Sequence, residues 1–146
     1  MLFTSFFALA ALAISAFAAP IAVDEVALVA RGNAAVNPNA VTGTTCTAKG
    51  TKLDDHSINV ALLSICGSIA GTIEKCEGNP TSTTGASGDA KFSIQPQTAG
   101  ATINVSKGRW EGCVRAARAT CGDSPFTTTC IGGASKGNLA VTLAAA

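Results

Sequence analysis

Apolar side chains recur at Ile58, Leu62, Ile65, Ile69 and Ile73, the alternating three- and four-residue spacing that lines one face of an α-helix. The pattern predicts one helix over residues 54–76. Asp54 stands at its N-cap, Asp55 lies where a carboxylate complements the positive end of the helix dipole, and Gly78 and Pro80 follow its last turn. The apolar run is shorter than the roughly 20 residues needed to cross a bilayer, so it reads as a core helix. Gly67 and Gly71 lie one turn apart, and each costs about 1 kcal/mol against alanine in a helix. That pairing predicts the close approach of a neighbouring backbone there.

Farther along, the period changes. Phe92 and Ile94, then Ala101, Ile103 and Val105, alternate with polar residues on either side of PQTAG, which predicts a β-hairpin. Ser106 offers an N-cap for a second helix ended by Gly122, with Trp110, Cys113, Val114, Ala117 and Cys121 on one face and Arg115 and Arg118 outside it. Residues 126–131 (FTTTCI) and the alternating Leu139, Val141 and Leu143 predict two further strands. Residues 46–53 read as a short extended piece, and 77–89 as a long Gly/Ser/Thr-rich loop suited to binding or O-linked sugars. The order of elements predicts an α+β fold: a mainly antiparallel sheet of four or five strands packed with two helices.

The N-terminal end adds a compartment. Residues 2–18 form an apolar run closed by Ala16, Phe17 and Ala18, the pattern of a secretory signal peptide cut after Ala18. Residues 19–31 read either as a pro-segment trimmed after Arg31 or as a frayed mature terminus, and 32–45 as a flexible arm. Residues 46–146 then form a single domain. All 10 basic and 9 acidic residues lie after the signal, and a cut at Arg31 would leave 9 and 7. So balanced a chain lacks the basic stripe of a nucleic-acid binder.

The six cysteines, Cys46, Cys66, Cys76, Cys113, Cys121 and Cys130, are an even set in an exported chain and predict three disulfides. A structural metal finds no support, because the chain has no C-x-x-C pair and a single histidine, His56. If Cys66 and Cys76 share a continuous helix they stand about 15 Å apart, and Cys113 and Cys121 about 12 Å, both beyond disulfide reach. About 10 of about 15 pairings then remain. Either a bridge joins the two helices or one of Cys76 and Cys121 lies in a loop, with Cys121, next to Gly122, the expected one.

Catalytic equipment is sparse. Asp54, Asp55 and His56 are adjacent, point in different directions on a helix, and are explained by capping. One histidine and no tyrosine argue against a ribonuclease, and no G-x-S-x-G elbow occurs. Asp89, Glu111 and Asp123 would need to converge to cleave a glycosidic bond. The reading is therefore a binding protein, not an enzyme, with no cofactor and no metal. Candidate ligand contacts are Asp89 and Lys91 beside the long loop, Asn104 and Arg109 before the second helix, and Trp110, whose indole either stacks on a sugar or belongs to the core. Asn104, Val105 and Ser106 form an N-glycosylation sequon, with Asn104 facing outward.

The stretches TCTAKGTKLDDHSINVALLSICGSIAG, KFSIQPQTAGATINVS, RWEGCVRAARATCG and FTTTCIGG, in an exported neutral domain, resemble the small secreted mushroom lectins of the ink-cap type over residues 46–143. The resemblance implies a fungal glycan-binding protein of αβα sandwich form that recognises N-acetylgalactosamine-containing glycans, with dimerisation through sheet edges. A secreted effector, toxin or surface protein of the same fold is the alternative reading, and a small secreted hydrolase the third.

Overall fold

The computed structural model describes residues 36–69 and 76–146. A 3₁₀ turn (Pro38–Ala40) leads into β1 (Val41–Cys46), α1 (Asp55–Leu63), a second 3₁₀ turn (Ile65–Gly67), β2 (Thr83–Ser87), β3 (Ala90–Pro96), α2 (Lys107–Cys121), β4 (Phe126–Gly133) and β5 (Asn138–Ala145). The five strands form one antiparallel sheet in the order β1-β4-β5-β3-β2. The α+β class, with two helices against a mainly antiparallel sheet, is as the pattern predicts.

Period-2 alternation puts Phe92, Ile94, Phe126, Cys130, Leu139, Val141 and Leu143 on one buried face. Both helices pack on that face. Trp110 of α2 meets Phe92 of β3 edge-on, with ring centroids 5.2 Å apart, and its indole N–H donates to the carbonyl of Leu62 on α1 at 2.8 Å. No described element covers the other face, so the described residues form two layers where the resemblance implies a three-layer sandwich.

The first helix is much shorter than its apolar spacing predicts. It ends at Leu63, and Cys66 (φ 55°), Gly67 (φ 76°) and Ser68 (φ 98°) turn the chain sharply. The Ser64 hydroxyl donates back to the Val60 carbonyl at 2.7 Å, and the Ile69 N–H takes the Leu63 carbonyl at 2.9 Å, closing the last turn. Ile65 and Ile69 remain buried, so a bent segment satisfies the apolar spacing as well as a helix would. The bend also brings Cys66 and Cys76 together at a Cα separation of 5.4 Å. Their exclusion as a pair rested on an unbroken helix and does not hold. Gly71 lies outside the described residues.

The other bridges are Cys46–Cys121 and Cys113–Cys130, each joining α2 to a strand of the β1–β4 half of the sheet. No bridge joins the two helices. It is Cys76 that lies outside a helix; Cys121 is the last residue of α2.

Four other expectations are corrected. Residues 41–45, read as flexible arm, belong to β1, which pairs with β4 through an irregularity between Thr42 and Thr45. Part of the expected loop 77–89 is β2, an edge strand of small residues. The hairpin partner of β3 is therefore β2, and residues 101–105 contribute only the isolated bridge Ile103 to Ala134. The close backbone approach expected at Gly67 occurs at Gly85 instead. A Cβ there would meet the Ala61 carbonyl oxygen and stand 2.8 Å from the Ile65 nitrogen. Gly85→Ala should push β2 off α1 and cost on the order of 2 kcal/mol in urea denaturation; an unchanged midpoint would show that the two backbones part freely.

Candidate functional site

The five candidate ligand residues fall in different places. Trp110 is fully buried, so its indole is a core element and offers no face to a sugar. Asp89, in the β2–β3 turn, accepts the Asp54 N–H on both carboxylate oxygens at 3.2 Å and so backs the start of α1. Lys91 projects from the uncovered sheet face. Asn104 is half-buried, its backbone N–H bonded to the Gly133 carbonyl at 2.7 Å. Arg109 is exposed in the first turn of α2.

The acidic residues serve the scaffold. Asp54 caps α1 by accepting the Ser57 N–H at 2.8 Å and its hydroxyl at 3.1 Å. The Ser57 backbone N–H, then its hydroxyl, hold the Asp54 carboxyl below its ordinary value. A depressed carboxylate stabilises the fold above its unfolded value and loses that contribution as pH falls through the folded one. Asp54→Ala should therefore lower the melting temperature at neutral pH, with the difference from wild type closing on acidification below the ordinary carboxylate range; a gap that persists there would assign the loss to packing. Arg118 lies between Asp55 (2.6 Å) and Asp123, and also donates to Asn59 at 3.2 Å. Burial pulls the guanidinium pKa down, but the hydrogen bonds and charges of the two aspartates outweigh it and the net shift is upward. Arg118 thus clamps α1 to the end of α2 as a permanent cation.

Glu111 is paired with Lys107 at 3.0 Å, so Asp89, Glu111 and Asp123 are each held by a separate scaffold contact. Among the described residues no group of three His, Cys, Asp or Glu side chains could hold a metal ion.

Among the described residues, two polar concavities offer room for a ligand. One, of about 220 Å³, lies on the uncovered sheet face between Ser82, Thr84, Ser93, Gln95, Ala140 and Thr142. It forms part of a hydroxyl row that crosses all five strands in register: Thr45, Thr127, Thr142, Ser93 and Thr84. The second, of about 430 Å³, is formed where the 3₁₀ turn meets α2 and β4. Asn37 and Asn39 supply amides, Ser106 and Arg109 a hydroxyl and a guanidinium, Gly108 and Gly112 a low helical floor, and Ile131 an exposed apolar edge. The turn is itself ordered by the Asn37 side chain, which accepts the Asn39 N–H at 3.0 Å. The Ser106 hydroxyl caps α2 by accepting the Arg109 N–H at 3.3 Å.

Only Arg109 of the five sequence candidates lines the larger concavity. Asn37 and Asn39 were missed because they lie in a stretch without periodicity. The signal available was the Asn-Pro-Asn sequence, a turn-former next to a β-branched Val41-Thr42 start.

Compared with known proteins, the chain matches no family model, no curated sequence and no solved structure.

Proposed function

We propose that the protein is an extracellular carbohydrate-binding protein that holds glycan without turning it over. The observation that carries this reading is the larger concavity. Sugar recognition needs hydroxyl-matching donors and acceptors together with an apolar patch for the C–H face of the ring. The two asparagine amides, the Arg109 guanidinium and Ile131 provide both around a floor kept low by Gly108 and Gly112.

Export rests on the apolar N-terminal segment and on three disulfides, which persist in oxidising compartments. Among the described residues no helix is long and apolar enough to cross a membrane. N-acetylgalactosamine-containing glycans as the recognised class, a fungal source and pairing through the β1 or β2 edge follow the lectin resemblance. Glycosylation of Asn104 follows its sequon. A secreted effector, toxin or surface protein presenting the same concavity to a non-sugar partner is the second reading.

A glycan array separates the two. Saturable binding to a defined set of glycans, reduced by Asn39→Ala, supports the lectin reading; an array without saturable binding overturns it.

A further inference from the structure

We infer that the sugar held in the larger concavity carries an oxyanion, a carboxylate or a sulfate, which docks on the free fork of Arg109. The inference rests on the carbohydrate-binding reading and adds the ligand's charge to it.

The guanidinium is positioned before any ligand arrives. Its Nη1 donates to the Ile131 carbonyl at 3.0 Å. It also lies against the bare backbone of Gly132, where a Cβ would stand 3.0 Å from Nη1, 3.4 Å from Cζ and 3.8 Å from Nε. Gly132 adopts φ 74°, a left-handed conformation that glycine accepts readily. With one amino group tied to β4 and the plane held against the chain, the Nε–H and Nη2–H donors on the opposite edge have no protein partner among the described residues. Those two parallel N–H groups match the two oxygens of a carboxylate or sulfate. Fixing them in advance removes much of the side-chain ordering cost that an exposed arginine incurs on binding.

The surrounding charge points the same way. Among the described residues, Arg109 is the only charged one lining the concavity. The nearby carboxylate, Glu111, is neutralised by Lys107 at 3.0 Å. Arg115 is exposed on the helical stripe that contains Gly108 and Gly112, at the i, i+4, i+7 spacing, so a second cation stands on the same side of α2. A neutral sugar would leave this field unanswered, whereas an anionic one completes it.

Calorimetry with matched ligand pairs tests the inference: oligogalacturonate against its methyl ester, and a sulfated galactan oligosaccharide against its desulfated parent. The expected result is binding of at least one acidic member about 10- to 100-fold tighter than its neutral partner. The pair that shows the preference identifies the oxyanion as carboxylate or sulfate. Arg109→Gln should abolish the preference. Arg109→Lys, which keeps the charge but not the fork, should lose most of it, and Lys91→Gln on the sheet face should leave it intact. Thermal melts of each variant check that the fold persists. Equal affinity within both pairs overturns the anionic inference while sparing the carbohydrate reading. Full retention of the preference in Arg109→Lys overturns the fork geometry, and no binding to any of the four ligands or to an array overturns both readings.

Discussion

Alanine in place of Trp110 is expected to lower stability by about 4 kcal/mol, read from urea denaturation. The indole is completely buried where the two helices and the sheet meet. Its removal would empty the space beside Phe92, 5.2 Å away centroid to centroid, and would leave the Leu62 carbonyl at the end of α1 without its 2.8 Å donor. Trp110→Phe separates the two contributions. It keeps most of the apolar contact and deletes the N–H, so it should cost about 1–3 kcal/mol, the penalty for an unsatisfied buried acceptor. A loss below about 1 kcal/mol for the alanine variant would contradict the placement of the ring.

Removing the Cys46–Cys121 bridge as a double alanine variant should cost about 4–5 kcal/mol. Removing Cys66–Cys76 should cost about 3. The difference comes from the unfolded chain: the first bridge spans 75 residues and the second 10, and a longer closed loop restricts the denatured ensemble more. The first bridge also ties the edge strand β1 to the last residue of α2, so its loss frees the strand that carries the 3₁₀ turn toward the candidate site. Guanidinium denaturation of the two variants gives the comparison. Equal losses, or a larger one for Cys66–Cys76, would place the stabilisation in local packing instead of chain entropy.

Elements whose local chemistry and tertiary role agree were legible in the sequence. The second helix has Ser106 and Gly122 at its ends and a buried face formed by Trp110, Cys113, Val114 and Ala117. The last two strands alternate cleanly because one face of the sheet is covered and the other is not. The misread elements are those in which tertiary contacts override pattern. Residues 83–87 look like a loop because position 85 must be glycine to admit the backbone of α1, and a glycine there removes the apolar alternation of a strand. The first helix looks too long because the buried Ile65 and Ile69 keep helical spacing while the chain between them bends at Cys66. The site was legible only at Arg109. Its asparagine wall comes from a segment more than 60 residues away in sequence, brought to α2 by the pairing of β1 with β4, and long-range pairing leaves no periodic trace in so short a strand.

Backbone amide chemical-shift mapping during titration with a glycan that binds tests the central claim most directly. Saturating shifts confined to Asn37, Asn39, Gly108, Arg109, Gly112 and Ile131, with Thr84, Ser93 and Thr142 unmoved, are the predicted result. Shifts centred on the threonine row of the uncovered sheet, with the Arg109 concavity silent, would contradict it.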